Sequence, residues 1–306
     1  MHNLKSLGFV VNPHAGPRKS SSWQEQISQT LEKAGISHTI VETRDSSDVE
    51  MKVRELMKSC GAVFAVGGDG TAHHVAQALA GTDHPFGLLP NGSGNDYSKM
   101  LRMPKGIQSG LQQLISGYSI HSYNALQLVV KEQHRAELVT RWSINTTGFG
   151  FDAAVSEMKT KVPVLRGIGL YLASSLLTLS SYAPSTLQTS KNDSRPYKGL
   201  MIAAGIGEFE GGGFKIFPGA SAVGETFDVC EVLEHRKVRA LPLLIKAMGG
   251  DHVGSGRIRM SKAKEITLTS DQPIPVHADG EVVSLKALEV KITLVQGALR
   301  VIVPLS

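Results

Sequence analysis

The chain has 306 residues, room for two domains at about 100–200 residues each. Apolar residues make up 41%, which excludes a disordered or fibrous protein. Lys and Arg total 32 against 27 Asp and Glu; the net charge of +5 suits an anionic partner such as a nucleotide or a membrane surface. Aromatic residues at 6% argue against a base-stacking surface, and no nucleic-acid partner is expected.

Cys60 and Cys230 sit in apolar periodic segments and read as reduced core residues. The first residues carry no signal-peptide pattern. The longest charge-free stretch, 167–190, is rich in Ser and Thr and holds Pro184, so it does not read as a membrane span. The expectation is a cytoplasmic protein, at most peripheral at a membrane.

Residues 4–11 form an apolar run that stops at Asn12-Pro13, the pattern of a buried strand. Ser21 and Gln24 match a capping box for a helix with Trp23, Ile27, Leu31 and Ala34 on one face, ended by Gly35. Residues 38–43 read as a second strand. Asp45, Ser46, Ser47 and Asp48 offer N-caps to a helix that buries Val49, Val53, Leu56, Met57 and Cys60. A third strand at 62–66, a third helix at 71–80 and a fourth strand at 86–89 follow. Such alternation gives a parallel sheet with helices on both faces, and ligands bind such sheets beyond the carboxyl ends of the strands. The loops at 12–16, Thr43, 67–71 and 90–96 all fall there.

The sharpest of these loops is Gly67, Gly68, Asp69, Gly70 and Thr71, set between a strand and a helix. Glycines let a ligand approach the backbone, and the free N–H groups of the following helix attract phosphate. Asp69 adds a carboxylate in reach of a phosphate-bound Mg²⁺, and Thr71 adds a hydroxyl. A tight turn with an Asp cap would carry the same residues. The segment lacks the Gly-Lys-Ser/Thr of a Walker A loop, and His73 stands where a dinucleotide fingerprint needs its third glycine. The loop Pro90-Asn91-Gly92-Ser93-Gly94-Asn95-Asp96 is small and polar, suited to a nucleotide or to an ordinary turn.

In the second half, 123–130 and 136–144 look like a hairpin around 131–134, and 227–233, 265–268, 288–294 and 299–303 read as further strands. Leu165, Leu172, Leu176 and Leu179 fall at helical spacing. The basic cluster His235-Arg236-Lys237-Val238-Arg239 precedes an apolar run at 241–248 that fits either a solvated charge run or a membrane surface. Asp279-Gly280 has the form of a hairpin turn.

Taken together, Asn12-Pro13 with Gly16, the 67–71 loop, the 90–96 loop, Asn145 with Gly148-Phe149-Gly150-Phe151-Asp152, Gly211-Gly212-Gly213 with Pro218, and Asp279-Gly280-Glu281 resemble the diacylglycerol kinase catalytic domain family, in its bacterial soluble branch related to sphingosine and ceramide kinases. The resemblance runs from about residue 4 to 303. It implies an NAD kinase-like α/β domain with a parallel sheet at 1–122, a C-terminal β-sandwich at 123–296, a return strand at about 297–306, and an active site in the cleft between the domains. It implies ATP and Mg²⁺ as cofactors and a diacylglycerol-like or other lipid alcohol as substrate, with transient contact to an anionic membrane surface. Asn12, Thr43, Gly67, Gly68, Asp69, Gly70, Thr71 and Ser93 would lie at the nucleotide. Asp279 and Glu281 would be the acidic pair, exposed on their turn, one of them the general base for the lipid hydroxyl.

The chain departs from the family at four places. Ser93 replaces a Thr, and His73 and His74 replace Asn and Glu; the histidines read as core or surface residues. The acidic element that holds a structural metal after Pro218 is reduced to Ala222-Val223-Gly224-Glu225 with Asp228, so no structural metal ligands are assigned. The fourth is the stretch after Asp152, where the leucine-rich helix face reads first as core. The alternatives are an NAD kinase-like enzyme, since the glycine motif is shared, and a non-catalytic nucleotide- or lipid-binding regulator.

Overall fold

The computed structural model describes residues 6–13, 20–161, 167–191, 195–234 and 236–305. Leu4, the 14–16 part of the first loop, Leu165, His235 and the side chain of Ser21 lie outside this description. The chain divides into two compact units, Met1–Tyr123 with Gln296–Ser306, and Asn124–Val295.

The first unit is an α/β layer structure. Strands β1 (Leu7–Val11), β2 (His38–Glu42), β3 (Ala62–Gly67) and β4 (Pro85–Pro90) are parallel in the order β2-β1-β3-β4. The end of β14 (Glu281–Pro304) closes the far edge, with Arg300 opposite Pro85 and Val301 opposite Phe86, also parallel. Every residue of β1 and β3 is buried, as expected of strands covered on both faces. Alternation along β1 sends Leu7, Phe9 and Val11 into a core shared with Trp23, Ile27 and Leu31 of α1 (Ser20–Lys33) and with Ile107, Leu111 and Leu114 of α5 (Ile107–Ser116). Gly8 faces the opposite side, where a side chain would meet Leu56 of α2 (Val49–Ser59) at 3.2 Å.

The helix boundaries differ from the sequence reading in two places. A short 3-10 turn, Ser46–Asp48, precedes α2; Asp45 caps it by accepting the Ser47 N–H at 2.8 Å. Helix α3 (Asp69–Leu79) begins at Asp69, so the glycine loop and the helix share residues. Helices α4 (Asp96–Met100) and α5 were not anticipated.

The second unit is a β-sandwich. One ladder runs β12 (Ile258–Ala263), β11 (Phe227–Val232), β10 (Met201–Gly205), β7 (Thr146–Gly150), β13 (Glu265–Ala278), all antiparallel. Bulges between Thr269 and His277 bend β13, so that its first half pairs with β8 (Ser185–Thr189) and its last residues with β7. β5 (Tyr118–Glu132) and β6 (Val139–Ser143) form the anticipated hairpin. The segments 288–294 and 299–303, read as two strands, belong to one continuous β14. Helices α6 (Phe151–Lys159), α7 (Gly167–Ser181) and α8 (Lys237–Gly249) cover an apolar core that includes Phe151, Tyr171, Phe214, Phe217 and Ala240. No helix among the described residues is long and apolar enough to cross a membrane.

Packing in the first unit depends on one missing side chain. The Phe64 ring of β3 lies over Gly87 of β4, and a Cβ there would stand 2.2 Å from a ring carbon. Gly87→Ala is therefore expected to lower stability by about 1–3 kcal/mol through overpacking. Chemical denaturation would check it, and an unchanged midpoint would show that Phe64 moves without cost.

Candidate functional site

The carboxyl ends of the strands in the first unit carry the loops singled out from the sequence. Asn12 follows β1, donates its backbone N–H to Val66 O at 3.2 Å and its side-chain Nδ2 to Thr71 Oγ1 at 3.3 Å. Thr71 is buried, and its side chain fills the place a Cβ on Gly67 would take, 2.4 Å from Oγ1. Gly67 is thus needed because Thr71 folds back over the strand end. Gly68 caps α3 with no side chain on the helix N–H groups. Its backbone lies against the second loop: a Cβ on Gly92 would come within 2.5 Å of Gly68 Cα. The second loop is held open by Asn95, in the left-handed region at φ 55°, which accepts the Gly92 N–H at 2.9 Å and donates to Gly92 O at 2.7 Å. Ser93 sits exposed at its tip. Thr43 is buried, and its hydroxyl donates to Val11 O at 3.3 Å, so it shapes the end of β1. His73 is buried, with its ring edge-on to His74.

Asp69 stands half-buried between the loops and accepts the Tyr97 N–H at 3.3 Å. Burial, then the charge of nearby Asp96, push its carboxyl up to about 6, against the backbone N–H groups of Tyr97, Asn95 and Asp96.

In the second unit, Asp279 and Gly280 form the two-residue turn between β13 and β14, both at positive φ (54° and 84°), as a type I′ hairpin requires. Asp279 is half-buried, where the sequence reading placed it exposed. Its Oδ1 accepts from Ser143 Oγ (2.8 Å), Asn145 N (2.8 Å), Ile144 N (3.1 Å) and Thr146 N (3.2 Å), and its Oδ2 from Ile144 N (3.0 Å). The Asp279 N–H returns a bond to Thr146 O at 2.7 Å. The carboxylate thus ties the β6–β7 turn to the hairpin. Glu281 opens β14 opposite Ala278.

Directly behind the turn is a buried polar cluster that the sequence reading did not assign. His277 Nδ1 accepts the Gly280 N–H at 3.0 Å, and its Nε2 lies 3.0 Å from Asp152 Oδ2 and 3.2 Å from Glu210 Oε1. All three side chains are buried, and the Tyr171 hydroxyl donates to Asp152 Oδ1. Burial would raise Asp152, but His277, Tyr171 and Glu210 around it hold it below the usual carboxylate range. Burial and the Asp152 charge push Glu210 up. These are the only three groups among the described residues that come together with metal-ligand chemistry. The Gly280 N–H disfavours a metal there: it occupies the Nδ1 lone pair, which puts the ring proton on Nε2 as a donor. One signal for the cluster was in the sequence. Gly148 and Gly211 are glycines because a Cβ would stand 2.5 Å from Asp152 Oδ2 and from His277 Nε2 in the first case, and 2.3 Å from the Tyr171 ring in the second.

After Pro218, Asp228 is paired with Lys262 at 3.1 Å, and exposed Glu225 has Lys264 at 3.8 Å. A lysine thus faces each acid remaining in that segment.

Residues 6–124 match the diacylglycerol kinase catalytic domain, and residues 145–303 match the YegS C-terminal NAD kinase beta sandwich-like domain. The chain is 28% identical over 294 residues to YtlR of Bacillus subtilis, a protein named as a candidate lipid kinase, covering 90% of this chain and 92% of that protein. It is 23% identical over 307 residues to a diacylglycerol kinase of Mycobacterium tuberculosis, covering 99% and 96%. A crystal structure of a diacylglycerol kinase from Bacillus anthracis shares the fold with a TM-score of 0.76 at 20% identity, covering 99% and 98%. Yeast NADH kinase shares it at 0.58 and 10% identity, covering 100% of this chain and 85% of the other.

Asp69 generates a stability prediction. Its carboxyl binds a proton more tightly in the folded state than in the unfolded chain, so it favours folding only when protonated. The penalty is absent below the ordinary value of 3.8 and grows as pH rises through about 6. Asp69→Asn keeps the acceptor for Tyr97 and removes the charge. It should therefore melt above the parent at pH 8, with the gap closing toward pH 4. Thermal unfolding across that range checks it; a gap that stays constant or reverses sign would show that ionised Asp69 costs nothing.

Proposed function

We propose, since the chain belongs to the diacylglycerol kinase catalytic domain family, that it is an ATP-dependent lipid kinase passing the γ-phosphate to the hydroxyl of a diacylglycerol-like or other lipid alcohol. The observation that carries the lipid reading is an apolar groove in the second unit, lined among others by Phe151, Tyr171, Leu200, Leu243, Leu244 and Ala247. Its walls suit acyl chains better than a nicotinamide dinucleotide. One wall residue, Tyr171, leads through Asp152 and His277 to the acidic turn.

The cofactor reading draws on the first unit. The uncapped start of α3 and the glycine backbones of Gly67, Gly68 and Gly70 suit phosphate groups, and Ser93 and Asn12 flank them. Asp69, held near another carboxylate, is a hard oxygen donor for the Mg²⁺ that accompanies ATP. That ion neutralises charge on the phosphates when bound. In the transfer, the lipid oxygen bonds to the γ-phosphorus as the bond to the β-phosphate oxygen breaks. The hydroxyl proton goes to a carboxylate. Asp279 already accepts from three backbone amides and a serine, so we assign the proton to Glu281 and the shaping of the turn to Asp279.

Membrane contact is the second part of the reading. Helix α8 turns Ala240, Leu243 and Ala247 inward and exposes Leu241, Ile245 and Met248, spaced to share one face, beside exposed Arg239 and Lys246. An apolar face flanked by cations suits an anionic bilayer.

Transfer of labelled phosphate from ATP should occur to lipid alcohols in a panel that includes NAD; transfer to NAD alone would favour the NAD kinase alternative, and no transfer the regulator. Glu281→Gln should lower lipid phosphorylation by at least about 10²-fold with the melting temperature kept. Asp279→Asn should lower both, because its amide nitrogen cannot accept the backbone N–H groups.

A further inference from the structure

We propose that His277 is the positioning residue of the acidic turn: its Nδ1 holds the Gly280 amide and thereby sets Asp279 and Glu281, while Asp152 and Glu210 keep its single ring proton on Nε2. This rests on the reading of that turn as the acidic pair of a lipid kinase. The geometry is on both sides of the ring. Toward the turn, the Gly280 N–H points at Nδ1 at 3.0 Å. A second proton on the ring would set N–H against N–H and break this contact. Away from the turn, Nε2–H donates to Asp152 Oδ2 at 3.0 Å, with Glu210 Oε1 at 3.2 Å. The ring has no room to swing, because it lies over Gly148, where even a methyl group would stand 2.5 Å from Nε2.

The charges around the ring complete the device. Asp152 faces the ring from α6 and Glu210 from the loop after β10; Tyr171 of α7 donates to Asp152, Lys159 of α6 lies over the Tyr171 ring, and the Cys230 thiol of β11 feels both carboxylates. Lys159 Nζ also reaches the turn itself, 3.0 Å from where a Gly280 Cβ would be. Burial and the Asp152 charge raise the proton affinity of Glu210, while the neighbours of Asp152 lower its own, so negative charge in the pair is favoured on Asp152. Burial opposes a charge on His277, but Glu210 and Asp152 outweigh it and push the ring's pKa up to about 10; what keeps the second proton off is the Gly280 N–H in the Nδ1 lone pair. The single proton on Nε2 serves Asp152 Oδ2 and leaves Nδ1 to the turn. A buried neutral imidazole so held is a rigid spacer, and a displacement of about 1 Å in a reacting group can cost about 10²-fold in rate.

Two substitutions separate the two sides of the ring. Asn places a carbonyl oxygen where Nδ1 stands; Gln reaches the Nε2 position and fills more of the volume. His277→Gln should lower kcat for lipid phosphorylation by about 10²-fold with KM for ATP within a few-fold, and His277→Asn should restore most of it. Gln equal to or better than Asn would overturn the proposal in favour of a packing role. Two readouts do not depend on turnover, and so distinguish failure here from failure of the lipid kinase reading. Nitrogen NMR of histidine-labelled wild-type protein should show His277 as the neutral Nε2–H form between pH 6 and 8, and an imidazolium pattern would overturn it. The Gly280 amide should exchange slowly in the wild type and in His277→Asn, and fast in His277→Gln; equal exchange in all three would overturn it as well.

Discussion

A carboxylate that gathers the backbone N–H groups of three consecutive residues holds one edge of the second unit together. Ile144 and Asn145 link β6 to β7 and Thr146 opens β7, and a single group accepts from all three amides. That group is Asp279, on a hairpin more than a hundred residues later in the chain. Unpaired buried amides cost about 1–3 kcal/mol each, so this one side chain sets where the turn can lie. The same side chain adopts positive φ, a conformation Asp tolerates better than most residues. The registers of β7 with β13 and of β13 with β14 meet at this point, beside the ring of His277.

The first unit was legible because its elements carry strong periodicity. Apolar runs ending in Asn12-Pro13 or in glycine loops mark parallel strands, and β1 to β4 fell where the pattern put them. The inner strands of the second unit carry no such pattern. β7 reads TTGFG and β10 reads MIAAG, short runs of small residues buried almost throughout, without alternation between faces. Helix α6 follows β7 with no loop, since Gly150 at φ 106° turns the chain directly from strand to helix. The site divides in the same way. Glycine loops and Asp279-Gly280-Glu281 are contiguous and visible. Asp152, Glu210 and His277 are separated by up to 125 residues and meet only through the fold. Their trace in the sequence is indirect: glycines at 148 and 211 whose missing side chains make space for the cluster.

Two buried or half-buried carboxylates show opposite solutions to the same problem. Asp69 has three backbone N–H groups around it, but burial and a second acid beside it outweigh them, so its charge is costly. Asp152 has a tyrosine hydroxyl, an imidazole N–H and a glutamate of raised proton affinity around it, and these hold its carboxyl down. The first is a charge that a nearby cation would relieve, the second one already built into the frame.

The first unit is discontinuous, and this has a consequence for how the protein is made. The outer edge of β4 is completed by Arg300 and Val301, more than two hundred residues downstream. While the chain is emerging during synthesis, that edge stays unpaired until almost all of the second unit has been produced. A nascent sheet with an open hydrophobic edge is a template for wrong partners. Pairings this remote in sequence also close slowly. The second unit, contiguous from Asn124 to Val295, is under no such wait. The order of events is thereby constrained: the later-made unit can mature first, and the earlier-made unit is sealed last.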